Sequence, residues 1–125
     1  MKKKFDTFGV MIDMSRNAVM SIEGLKKFLP LLKKMGYNCV MLYTEDTIKL
    51  ENYKYFGYMR GRYTKEELKE LDRYALSLGI ELIPCIQLLG HLPTALAWPV
   101  YKGIRDTNDT LRADCEETYK FIDDI

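Results

Sequence analysis

A chain of 125 residues, 47% hydrophobic and 30% charged, has the size and balance of one soluble domain, which excludes intrinsic disorder. Its 19 Lys and Arg face 18 Asp and Glu for a net charge of +1, and the two signs are interspersed, so nucleic acid is not an implied partner. The long uncharged stretch between Leu82 and Lys102 is broken by Pro84, Gly90, Pro93 and Pro99, which excludes a membrane-spanning helix there.

In chain order, the start "MKKKFDTFGVMID" carries a basic run followed by an apolar stretch too short for a signal peptide. Cys39, Cys85 and Cys115 are odd in number, far apart and without metal-ligand spacing, as suits reduced thiols; the expected location is the cytoplasm. Phe8 to Asp13 reads as a strand buried on both faces. Ser21 caps a helix whose Ile22, Leu25, Phe28, Leu29, Leu32 and Met35 share one face, with Gly36 as its stop and Pro30 as an expected kink. Asn38 to Tyr43 is a second buried strand. The loop after it, "TEDTIKLENYKYFGYMRGRY", is too long for a mere connector and is a candidate binding loop.

Thr64 and Glu67 form a capping box for a second helix with the stripe Leu68, Leu71, Tyr74, Ala75 and Leu78, ended by Gly79. Ile80 to Ile86 is a third strand, in which Pro84 is expected to break or bulge the ladder. Beyond Trp98 the pattern loosens. Leu111 to Ala113 reads as a small strand, and Asp114 with Glu117 as the cap of a last helix bearing Tyr119, Phe121, Ile122 and Ile125. Alternating strand and helix predict an α/β fold with a parallel sheet and right-handed crossovers. The apolar face of the last helix still runs at Ile125, which reads as one part of a longer domain.

Ligands of parallel α/β folds bind at the carboxyl ends of the strands, where the following loops gather. Asp13, Glu45, Asp46, Gln87 and His91 all fall there. A carboxylate such as Asp46 can orient the imidazole of His91, the chain's one histidine, and so prepare a catalytic acid; a structural loop histidine is the plainer alternative. Trp98 suits either sugar stacking or the rim of the core. The acidic pairs Glu116–Glu117 and Asp123–Asp124 read as the solvated face of a helix.

The ordered pieces "GVMIDMSR", "GYNCVMLYTED" and "FGYMRGRYTKEELKELDRYALSLGIELIPCIQLLGH", followed by Trp98, resemble the opening of the catalytic barrel of family 20 glycoside hydrolases, the β-N-acetylhexosaminidases. The resemblance runs from about Phe8 to Trp98. It implies a (β/α)₈ TIM barrel, of which residues 1–125 would be the N-terminal part: three βα units and a C-terminal helix. It also implies hydrolysis of terminal N-acetyl-hexosamine residues by a retaining, substrate-assisted route that uses no cofactor or metal. In that scheme Asp46 and His91 form a supporting relay, while Asp13, Arg16, Glu45 and Trp98 shape the substrate pocket.

Three features depart from the family pattern. Phe8 stands where many members carry a sugar-binding Arg, "MLY" replaces the usual "H-x-H", and His91 lies farther than usual from Trp98. The catalytic Asp–Glu pair expected after a fourth strand is absent from these residues, so the chain alone is expected to be inactive. A whole barrel needs roughly 250 residues and fills its interior with about twelve side chains, so half of one bares about six. At ~1.5 to 3 kcal/mol each, that exposure rivals the stability of a domain, and self-association through the open face is expected. The alternatives are a small non-catalytic sugar-binding domain and a structural half-barrel that acts only as a dimer.

Overall fold

Three apolar runs form strands β1 (Gly9–Asp13), β2 (Cys39–Thr44) and β3 (Glu81–Ile86), joined in a parallel sheet of order β1-β2-β3. The computed structural model describes residues 5–16 and 19–125; the basic run at residues 2–4 lies outside them. Helices α1 (Ile22–Lys34) and α2 (Lys65–Ser77) connect the strands. Because strand order follows chain order, two right-handed crossovers must put both helices on one face of the sheet. They do so: Leu25, Leu29 and Leu32 of α1 and Leu71 and Ala75 of α2 pack with Val40 and Leu42 of β2. A doubly wound sheet would spread its helices over both faces, so the arrangement is consistent with part of a (β/α)₈ barrel wall.

The helices begin and end where their capping residues dictate. Ser21 accepts the Gly24 amide at 3.1 Å. Thr64 and Glu67 form the full capping box, each side chain taking the other's backbone N–H at 3.1 and 2.8 Å. Pro30 sits inside α1 without ending it, although proline lacks the N–H that would serve the Lys26 carbonyl. The Tyr74 hydroxyl, from α2, donates to that carbonyl at 3.2 Å. The helix pair thus repairs its own defect.

β1 is not buried on both faces. Val10 and Ile12 meet the helices, but Gly9, Met11 and Asp13 on the other face are exposed, Met11 by 57%. Register places Met11, Met41 and Ile83 level across that uncovered face, because helices pack on one side only. Nor does Pro84 disturb the ladder, which runs unbroken through Thr44 and Ile86. Glu81 and Gln87 donate their amides to the Asn38 and Thr44 carbonyls, so odd-numbered amides of β3 face β2 and position 84 faces the free edge.

After β3 come a four-residue helix α3 (Pro93–Leu96), a 3₁₀ turn (Pro99–Tyr101) and helix α4 (Glu116–Asp123). The expected strand at Leu111 is a single antiparallel bridge to Arg105. The cap of α4 is Cys115 rather than Asp114: Arg112 draws the Asp114 carboxylate to its own guanidinium, at 3.2 and 3.3 Å. A second core lies here, in which Ile48, Leu50 and Phe56 of the long loop pack with Leu92, Leu96, Tyr101 and Phe121. Phe121 is its hub, with Tyr53 and Phe56 edge-on at 4.8 and 5.5 Å.

Removing the Tyr74 hydroxyl should orphan the Lys26 carbonyl. Tyr74→Phe is expected to lower stability by about 1 kcal/mol in denaturant titration. In a Pro30→Ala background, where the helix regains its own donor, that loss should shrink toward zero.

Candidate functional site

The carboxyl ends of the strands carry a connected polar network. At the exit of β1 the backbone turns sharply, and Asp13 Oδ1 accepts both the amide and the hydroxyl of Ser15, at 2.8 and 2.6 Å. That turn is the one an aspartate makes with the residue two places on. The Ser15 hydroxyl and amide hold the Asp13 carboxyl below its ordinary value of 3.8. Arg16 follows, its guanidinium meeting Glu45 Oε1 and Oε2 at 2.9 and 3.1 Å. Arg16 is 66% exposed and Glu45 only 2%, so the pair presents a fixed cation to solvent at the mouth of the sheet. Tyr43 donates to Glu45 at 3.3 Å, and burial beside that carboxylate pushes its phenol up.

Asp46 is buried against the long loop. Its Oδ1 accepts from Arg60 at 2.5 Å, while its Oδ2 is buried without a partner. Burial raises its carboxyl above 3.8, and Arg60 opposes that shift without cancelling it. The loop is closed at its base by Tyr63, which exchanges backbone hydrogen bonds with Thr47 and Lys49 at 3.0 and 2.8 Å. The Tyr63 hydroxyl donates to the Met20 carbonyl, and burial pushes it to about 12. Gly57 crosses directly over Asp46 with φ of +63°; a β-carbon there would collide with the Asp46 carbonyl oxygen.

Asp13, Arg16, Glu45 and Asp46 are therefore brought together. His91 is not joined to them. It is exposed, with φ of +57°, and among the described residues it makes no hydrogen bond. The Asp46–His91 hydrogen bond read from the sequence is not among those the described residues form. A permanently charged guanidinium occupies Oδ1 of Asp46, and Oδ2 has no partner. The backbone flanking His91, through Leu89 and Leu92, is tied to Leu111 and Asp109 at 2.9 and 3.1 Å. Trp98 is half-buried at the rim of the second core, 5.0 Å from Tyr55 and 5.3 Å from Tyr58, the latter edge-on. Of the acidic pairs on α4, Glu116 pairs with Lys120 at 3.0 Å and Asp124 accepts from Tyr53 at 2.9 Å. Arg60 and Tyr43 are the members the sequence does not single out, and the one hint of Arg60 was an arginine in a long loop after two acidic residues.

No family model matches the chain. A β-hexosaminidase of Akkermansia muciniphila is 29% identical over 108 residues, covering 72% of this chain and 22% of that protein. Hexosaminidase D of Bos taurus is 25% identical over 101 residues, covering 78% and 29%. A mutant Streptomyces plicatus β-hexosaminidase, solved in complex with the product GlcNAc, superposes with a TM-score of 0.79 at 28% identity over 97% of this chain. The chain resembles the family 20 β-hexosaminidases. A family 20 β-N-acetylhexosaminidase of Streptomyces coelicolor gives a TM-score of 0.78 at 27% identity, again over 97% of this chain. The chain spans 29% of each of these two solved family 20 chains. Among the described residues no helix is long and apolar enough to cross a membrane.

Two carboxylates of the network should respond oppositely to acid. The folded Asp46 value lies above 3.8, so protonation favours the fold. Wild type should gain stability relative to Asp46→Asn as pH falls toward 3.8, its ordinary value. The folded Asp13 value lies below 3.8, so wild type should lose stability relative to Asp13→Asn as pH falls further. Denaturation midpoints measured against pH for the three proteins check both signs.

Proposed function

We propose that these residues are the N-terminal part of the catalytic barrel of a cytoplasmic exo-β-N-acetylhexosaminidase. The observation that carries this reading is the exposed Arg16 fixed by buried Glu45 at the exits of two adjacent strands, in a chain whose solved relatives include an enzyme bound to GlcNAc. Arg16 offers N–H donors to sugar hydroxyls, and Glu45 keeps them aimed. Asp13 borders the same mouth. Trp98, with Tyr58 against it, forms an aromatic wall of the kind that packs on the C–H face of a pyranose. The free thiols Cys39, Cys85 and Cys115 suit a reducing compartment.

The chemistry needs an acid and a nucleophile. In the substrate-assisted route the nucleophile is the acetamido oxygen of the sugar itself, and the protein supplies a carboxyl pair that polarises it and protonates the leaving group. That Asp–Glu pair is not among these residues, so Asp46 and His91 act as supports. The unpartnered Oδ2 of Asp46 is the acceptor that an imidazole N–H of His91 would take in the whole enzyme, leaving the second ring nitrogen for the acid. No metal or cofactor enters the scheme.

The protein that continues this chain through the rest of the barrel should hydrolyse an aryl N-acetyl-β-glucosaminide, and the 125 residues should not. In the longer protein His91→Ala should lower kcat by roughly a hundredfold with little change in KM. Turnover by these residues alone, or an unaltered kcat in the variant, would sink the assignment.

A second observation bears on partners. The level of Met11, Met41 and Ile83 on the uncovered sheet face, with Met11 57% exposed, supports pairing of the isolated chain with another copy. Light scattering should give a mass above 14.7 kDa. A monomer that binds no apolar dye would contradict this.

A further inference from the structure

The turn at residues 57–60 holds two residues with positive φ, Gly57 and Met59, on either side of Tyr58, and an internal hydrogen bond from the Arg60 N–H to the Gly57 carbonyl at 3.1 Å. Gly57 adopts φ of +63° freely, but Met59 adopts +61°, a conformation that strains an unbranched L-residue. Packing does not compensate Met59, whose side chain is 87% exposed. What the strained turn accomplishes is the delivery of the next residue. The Arg60 side chain is 15% exposed and its guanidinium meets three acceptors from two strand exits. Nη1 donates to Asp46 Oδ1, and Nη2 to the backbone carbonyls of Ser15 and Arg16. A lysine could satisfy one such direction at a time; the fork satisfies several.

We propose that Arg60 is the positioning residue of this site, fastening the loop of residues 51–63 across the exits of β1 and β2. In doing so it sets the place of Arg16, which follows Ser15, and fixes which oxygen of Asp46 is spent on the loop and which is left free. The fastening is a property of this chain. Its chemical use, keeping Arg16 and Asp46 in register for a sugar, rests on the reading under Proposed function.

The experiment is amide hydrogen exchange on this chain for wild type, Arg60→Met, Arg60→Lys and Met59→Gly, with a parallel ¹³C titration of the Asp46 carboxyl. The groups facing that carboxyl are Arg60, Glu45, Tyr101 and the Gly57 amide. In Arg60→Met, amides of residues 14–16 and 55–63 should exchange about tenfold faster while Val40 and Leu71 keep their protection, as for a local opening. The Asp46 titration should move upward. Arg60→Lys should restore most of the titration but less than half of the logarithmic loss in protection, because charge returns without the fork. Met59→Gly should leave both unchanged. Unaltered loop exchange in Arg60→Met, a uniform loss that includes Val40 and Leu71, or full rescue by lysine would each overturn the proposal. If Arg60→Met does not fold, the lysine variant decides by the same criterion. Hydrolysis of an aryl N-acetyl-β-glucosaminide by the longer protein separates the two readings, since absent turnover counts against the functional assignment and leaves the exchange result to judge Arg60.

Discussion

Glu45 and Asp46 place two carboxylates on consecutive residues at the exit of β2, 2% and 1% exposed. A buried carboxylate without a counter-charge is costly enough that a fold must supply one. Here each receives a different arginine from a different part of the chain, Arg16 from the exit of β1 and Arg60 from the long loop. Much of the upper half of the molecule follows from that demand. The β1 exit bends at Asp13 and Ser15 and continues to Arg16. The loop folds back far enough that Gly57 touches Asp46, and its aromatic residues then close the second core over Phe121.

The framework was legible in the sequence because its signals are local. Capping residues Ser21 and Thr64, the stops at Gly36 and Gly79, and apolar stripes with helical period each report on a few neighbours. Which faces would be covered was not legible. An apolar run such as that of β1 reads alike whether one side or both are packed, and the uncovered side became apparent only from helix placement. Pro84 misled for a related reason: its effect depends on whether its nitrogen faces a neighbour or an edge, a matter of register. Asp114 was misread because a nearby guanidinium competed for a carboxylate that would otherwise cap.

The site divides in the same way. Asp13, Glu45 and Asp46 could be found from strand ends alone, since parallel sheets gather their exits on one side. Their partners could not. Nothing local distinguishes Arg60 from Arg62, three residues from Met59 at most, yet Arg60 reaches into the network and Arg62 turns to the Phe56 carbonyl at 2.8 Å. His91 shows the converse, a residue whose type suggests chemistry but whose backbone is held by contacts at Leu111 and Asp109 that no short motif reveals.

Pro84 has a consequence for how chains meet. Along the outer edge of β3 the amides free to recruit a neighbouring strand are those of Leu82 and Ile86, with the proline ring between them, so the donors stand about 13 Å apart. A strand arriving from another molecule finds a row with its middle rung missing and gains little by sliding along it. Crowded, newly made copies are thereby steered away from endless edge-to-edge stacking, while a strand with the right spacing of acceptors can still be seated.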